Sequence, residues 1–149
     1  MTQREKLPAI LVTKEALDRD PALQPGGRGL RRICSIEPPR EEEEREADEV
    51  GWQAGDELVQ VHTTENWELS CFREFAHQHQ HRHMIGTEIY TVLKGMLKIA
   101  VNSVSHEIEA PGFIAILPGT MHEVYGQDEC LVQVTSINCQ GAEDKWIVE

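Results

Sequence analysis

The sequence predicts an all-β domain, a sandwich or barrel, on three observations. From residue 57 onward the chain breaks into short runs that alternate apolar and polar residues. Turn-forming residues interrupt these runs at intervals of roughly eight to twelve positions, the spacing typical of antiparallel sandwiches and barrels. No stretch carries the sustained 3.6-residue period of a long helix. The 149 residues suit one domain. A domain of this size can bury about two thirds of its unfolded surface.

Residues 1–56 are the least regular part and read as an N-terminal extension of the same domain. AILV (9–12) reads as a strand and TKEALDRD (13–20) as one or two turns of helix. Pro21, Pro25, Gly26 and Gly27 then break the chain. LRRICSI (30–36) alternates weakly, as a strand would, and Pro38 and Pro39 stop it. EEEEREADE (41–49) is a dense acidic run, which reads as solvated surface. The barrel proper spans 57–138. Its strands are ELVQVHT (57–63), WELSCFREF (67–75), EIYTVLKG (88–95), MLKIAVN (96–102), SHEIEA (105–110), FIAILP (113–118), MHEVY (121–125) and ECLVQVTSIN (129–138). Turns fall at Asn102 and Ser103, at Pro111 and Gly112, at Pro118 and Gly119, and at 126–128. Residues 139–149 form a C-terminal tail.

Charge and cysteine usage narrow the class. Fourteen basic and 26 acidic residues give a net charge of −12. Nucleic acid or an anionic membrane surface would want a basic face, so neither is expected as a partner. The N-terminal residues lack a secretory pattern, and no apolar run approaches the ~20 residues that span a bilayer. The four cysteines, Cys34, Cys71, Cys130 and Cys139, form no CxxC pair. A cytoplasmic protein with free thiols is expected, with Cys71 and Cys130 in the core.

The chemistry concentrates in FAHQHQHRHMIGTEIYTVLKG (75–95), where His77, His79, His81 and His83 occupy alternate positions. In a strand, residues two apart point to one face. Extended backbone therefore aims His81 and His83 together. Gly86 supplies a turn, and Glu88 opens the next strand within reach of them. Neutral imidazoles and a carboxylate are the donors that divalent transition metals take. His79 and His81 form an alternative ligand pair, six residues before Glu88. Tyr90 shares parity with Glu88, so it faces the cavity or packs in the core. Arg73 and Gln133 become pocket residues if their parity points inward, and an inward arginine would favour an anionic substrate group. His62 and His106 read as ordinary strand residues.

HRHMIGTEIYTVLKG (81–95) has the form His-x-His, four residues, Glu, six residues, Gly. In this it resembles the first motif of the cupin superfamily. PGFIAILPGTMHEVY (111–125) resembles the latter half of the second motif, through Pro118, Gly119 and His122. It departs from that motif at Pro111, where a glycine is usual, at Leu117, where a proline is usual, and at Tyr125, where an asparagine is usual. The fifteen residues between Gly95 and Pro111 leave room for one hairpin, as in compact members. The resemblance covers about residues 57–138.

The resemblance implies a double-stranded β-helix, or jelly roll, with one divalent metal ion inside the barrel. It carries the ligand roles to His81, His83, Glu88 and His122. His77, His79 and Tyr90 are then candidates to support the ligands from behind or to line the pocket mouth. Three imidazoles and a carboxylate leave positions open on Fe(II), Mn(II) or Ni(II), with Zn(II) and Cu(II) as further choices. The implied function is metal-dependent chemistry on a small polar or aromatic organic acid, with a dioxygenase first. A non-redox isomerase or decarboxylase, and a metal-containing small-ligand binding protein without turnover, are the alternatives. Small cupins commonly pair, so a homodimer is also implied.

Overall fold

The computed structural model describes residues 11–20, 29–37, 49–50, 57–60, 66–74, 76–125, 129–138 and 144–147. Most of the 9–12 strand, the break at 21–27, the acidic run except Glu49, His62, the turn at 126–128 and Cys139 lie outside them.

Within these residues the chain forms one helix and twelve strands. The helix is α1 (Lys14–Arg19). The strands are β1 (Leu30–Glu37), β2 (Glu49–Val50), β3 (Glu57–Gln60), β4 (Asn66–Phe72), β5 (His77–Arg82), β6 (Thr87–Lys94), β7 (Met96–Val101), β8 (Val104–Glu109), β9 (Gly112–Ile116), β10 (His122–Val124), β11 (Cys130–Ile137) and β12 (Trp146–Ile147). They build two sheets, in the orders β3-β1-β4-β11-β6-β9 and β12-β5-β10-β7-β8, with β2 also paired to β5. All pairings are antiparallel except β1 with β3. This is a jelly roll. Consecutive strands repeatedly cross between sheets, which brings residues distant in sequence to one end of the barrel.

The first sheet is apolar on both faces, for different reasons. Its inner face gives Phe72, Tyr90, Val92, Ile116, Val132 and Val134 to the core, where they meet Leu97, Ile99 and Val124 of the other sheet. Its outer face carries Leu69, Cys71 and Leu131, packed with Cys34 and Ile33 and covered by Val12 and Leu17. A helix of six residues is marginal by itself. Here Thr13 caps it, its Oγ1 accepting from the Ala16 amide at 3.1 Å, and Leu17 anchors it.

Gly95 marks one crossing between the sheets. It joins β6 to β7 at φ +77°, and a Cβ there would collide with the Glu129 carbonyl. The free thiols of Cys34, Cys71 and Cys130 are all buried. Burial pushes the Cys71 thiol up to about 12, so it packs as an apolar group and is no nucleophile. No helix among the described residues is long and apolar enough to cross a membrane.

Candidate metal centre

Four side chains converge from both walls of the barrel. His81 lies on β5, His83 one residue past its end, and His122 at the start of β10, all in the second sheet. Glu88 comes from β6 in the first sheet. Each offers one ligand atom, and these atoms all lie within 4.8 Å of one another. A turn links the two sequence segments. Gly119, at φ +82°, donates its amide to the His83 carbonyl at 2.6 Å. A residue with a Cβ would be strained at that angle.

The three rings are wired alike. Nδ1 of His81 lies 2.6 Å from the His79 carbonyl. Nδ1 of His122 lies 3.2 Å from the Thr120 carbonyl, and Nδ1 of His83 lies 3.1 Å from the Asp144 carbonyl. A carbonyl only accepts, so each Nδ1 carries a proton, and a ring wired this way presents its lone pair at Nε2 whenever it is neutral. This is how ligand histidines are oriented in metal sites.

That wiring leaves an electrostatic conflict that a cation would resolve. Nε2 of His83 is 2.6 Å from Glu88 Oε1, and Nε2 of His122 is 3.3 Å from Glu88 Oε2. The His83 atom is buried and makes no aligned hydrogen bond in spite of that short distance. The contact is one of charge, and a neutral His83 would set a lone pair against an anionic oxygen. Burial pushes the His83 ring towards its neutral form, but Glu88 reverses this and holds its pKa above the usual value. Burial likewise opposes the Glu88 charge, yet His122 and His83 hold that carboxyl well below the usual range. His81 differs. Burial drives its pKa down to about 3, so its ring is neutral at physiological pH. A divalent ion has the charge and donor preference to replace the proton between His83 and Glu88. An ion held by all four would need each ligand atom at about 2.1 Å, and the four atoms already lie within 4.8 Å of one another. The residues present fit such an ion.

Behind Glu88, the Tyr90 hydroxyl donates to Oε2 at 2.7 Å and lies 3.2 Å from Gln78 Oε1. Tyr90 is thus inside the barrel, and its hydroxyl touches the cluster through Glu88. His77 and His79 are on the other side of the strand. The His79 ring is exposed, and His77 faces Glu123 at 3.7 Å. The two rings stack edge to face at 4.8 Å. His79 meets the cluster only through its backbone carbonyl.

A β-bulge causes the split. His81 pairs with His122, but Gln78 pairs with Val124, so three steps on β5 face two on β10. The extra residue reverses the alternation. Gln78 turns inward to Tyr90, and His77 and His79 turn out. Simple parity gives no signal for Gln78. Asp144 had none either, being placed in the tail by sequence. Its carboxylate receives the amides of Met84 and Gly86, each at 2.8 Å, within the loop joining His83 to Glu88.

Arg73 and Gln133 are not pocket residues. Nε of Arg73 donates to the Gly29 carbonyl at 3.3 Å, away from the cluster. Gln133 pairs with Leu69, which packs on the outer face. The inward arginine that an anionic substrate would favour is therefore not supplied by Arg73. His106, on β8, is exposed.

No protein-family model matches the sequence. No curated protein matches it either. Solved structures do. A variant of Streptomyces PAC13 with uridine aligns at a TM-score of 0.52 and 16% identity, over 60% of this chain and 72% of that one. A cupin-2 domain containing protein from Shewanella frigidimarina aligns at 0.44 and 19%, over 52% and 74%. The Schizosaccharomyces pombe Cnp3 cupin domain aligns at 0.46 and 12%, over 53% of this chain and 59% of that domain, less than two thirds of its length.

The fold is a cupin barrel. At such identities the likeness carries the fold and nothing finer. Within this cupin barrel, a cluster of three histidines and one glutamate lies where the walls meet and can hold a metal ion.

Proposed function

We propose that this cupin holds one divalent ion through His81, His83, Glu88 and His122 and acts on a small polar or aromatic organic acid beside it, with a dioxygenase reaction the first to test. One observation carries the reading. Three buried or half-buried imidazoles, each with Nδ1 committed to a carbonyl, each bring one ligand atom within 4.8 Å of a single carboxylate, that of Glu88. A divalent ion there supplies a Lewis acid and, if it is iron, a redox partner for dioxygen.

The chain's own groups define the rest. Tyr90 keeps a proton at its phenolic oxygen and fixes Glu88 Oε2. Gln78 offers an amide beside it. Val92, Leu97, Ile99, Ile116 and Val124 are buried with Tyr90 in the apolar core of the barrel. A carboxylate substrate would be neutralised by the ion rather than by Arg73, which lies elsewhere. The alternative of a non-redox isomerase or decarboxylase uses the same residues.

Metal analysis of the purified protein, then dioxygen uptake against a panel of small polar and aromatic acids, tests this reading. Iron-loaded protein that takes up no dioxygen with any of them sinks the dioxygenase assignment. Product formed without dioxygen selects the non-redox alternative. Metal content unchanged in His122→Ala overturns the ligand set. The reading extends to a homodimer. Leu93, Phe113, Leu117 and Ile137 are exposed on or beside β6, β9 and β11, where a second copy would cover them. A monomer in sedimentation would refute that part.

A further inference from the structure

We infer that Asp144 is the positioning residue of the candidate metal centre: its carboxylate shapes the loop that carries His83, and its carbonyl aims the His83 ring. This rests on the metal-binding reading above. The three histidines share one wiring but not one source of it. His81 and His122 are tied to carbonyls two residues earlier, on their own strand or turn. Those tethers come with the local backbone. His83 lies beyond the last residue of β5, where the strand ladder has ended. Its Nδ1 is held by a carbonyl 61 residues away.

The same residue builds the loop. Oδ1 of Asp144 accepts from the Met84 amide at 2.8 Å and the Ile85 amide at 3.2 Å. Oδ2 accepts from Ile85 at 3.0 Å and Gly86 at 2.8 Å. Three successive N–H groups turned to one anion form a nest, a backbone shape that needs its anion to persist. Asp144 is buried. Burial alone would raise its pKa, but the amides of Gly86, Ile85 and Met84 more than offset this and keep the carboxyl below its usual range. The loop spans the interval between His83 and Glu88, so one side chain sets the separation of two ligands, one from each sheet. β12 follows directly and fastens the segment to β5, through Trp146 opposite Arg82 and Ile147 opposite His81.

The test uses the full chain with Asp144→Ala, Asp144→Asn and the control Val132→Ala, which weakens the inner core away from the cluster. The first readout is Co(II) titration followed by visible absorption. D144A should bind about 10- to 100-fold more weakly, the range for loss of a partner that orients a ligand, with altered bands. D144N keeps one acceptor oxygen and should lose less, while V132A should match the wild type. The second readout needs no metal: ring nitrogen shifts of His83 at alkaline pH, where the ring is neutral. The wild type should carry its proton on Nδ1, and D144A, which keeps the backbone carbonyl but loses the carboxylate bonds that seat it, should mix the two tautomers. Wild-type Co(II) affinity, bands and ring shifts in D144A would overturn the inference. Should D144A not fold, D144N is judged on the same two readouts. If the wild type takes up no Co(II), the metal reading falls, and the ring shifts alone decide whether Asp144 positions His83.

Discussion

The two halves of β5 read alike in sequence and do opposite things in space. His77 and His79 repeat the spacing of His81 and His83, the last of them one residue past the end of β5, and one polar residue, Gln78 or Arg82, separates the members of each pair. The C-terminal pair turns into the barrel and meets Glu88 and His122. The N-terminal pair turns out, half-buried at His77 and exposed at His79. Residue type and spacing are equal, so neither makes the difference. The bulge opposite His122 and Val124 does, by inserting one residue and exchanging the faces of the strand. A histidine ladder is a set of candidates until its partner strand is known.

The comparison can be broken most directly by removing rings. His81→Ala or His122→Ala should weaken metal binding more than about 100-fold, beyond the effect of losing an outer partner. His77→Ala and His79→Ala should bind as the wild type does, and metal titration followed by elemental analysis decides. If the outer pair matters as much as the inner pair, the bulge does not separate them.

Acid separates the halves next. His81 has a folded-state pKa of about 3 against 6.5 for the free group, so the unfolded chain binds the proton more readily. Its stabilising contribution is present above pH 6.5 and is lost as pH falls from there towards 3, on the order of a few kcal/mol. His83 works in the other direction. Its raised pKa gives stability below 6.5 that disappears as pH climbs past the raised value. Glu88, lowered, contributes above 4.5 and fades as pH drops through its folded value. Denaturant unfolding in EDTA across this range should show the acid loss in the wild type, in His77→Gln and in His79→Gln. It should flatten in His81→Gln. A parallel acid loss in that variant would mean that His81 is not the buried neutral base.

Smaller effects sharpen the inner half. Tyr90→Phe removes the hydrogen bond to Glu88 Oε2 and should cost about 1 kcal/mol of stability, with a modest fall in metal affinity. Thermal unfolding with and without metal separates the two. Least of all, His79→Ala should change stability by less than about 0.5 kcal/mol, as expected of an exposed side chain. A larger loss would place its ring, and not only its carbonyl, in the support of His81.

These contrasts also show which parts of the molecule could be read in advance. An all-β sandwich or barrel was legible because turn residues and alternation agree from residue 57 onward, and the resemblance of residues 81–95 and 111–125 to the cupin motifs narrowed it to a jelly roll. The convergence of His81, His83, Glu88 and His122 was legible because motif spacing carries it across the gap between the sheets. For Tyr90, parity with Glu88 left cavity and core both open, and the bond of its hydroxyl to Glu88 Oε2 puts that oxygen beside the cluster. Gln78 was not legible, because a bulge reverses parity without leaving a mark in residue type. Arg73 was left open by sequence alone, and the Gly29 carbonyl that claims it is contributed by the segment before β1. Asp144 had no spacing partner at all. Its role depends on a tertiary contact between the C-terminal segment and a loop about sixty positions earlier, which no local period encodes.

The outer edge of β5 is closed by two short pairings, one with Glu49 and Val50 and one with Trp146 and Ile147. Their positions in the chain give this edge a history. A ribosome makes β2 well before β5 and β12 well after it. From the moment β5 emerges until residues 144–147 follow, the strand that bears His81 and leads into His83 keeps an open stretch of edge, a template for pairing with another chain. Closing that edge and completing the wiring of His83 are therefore one late event in the making of the protein.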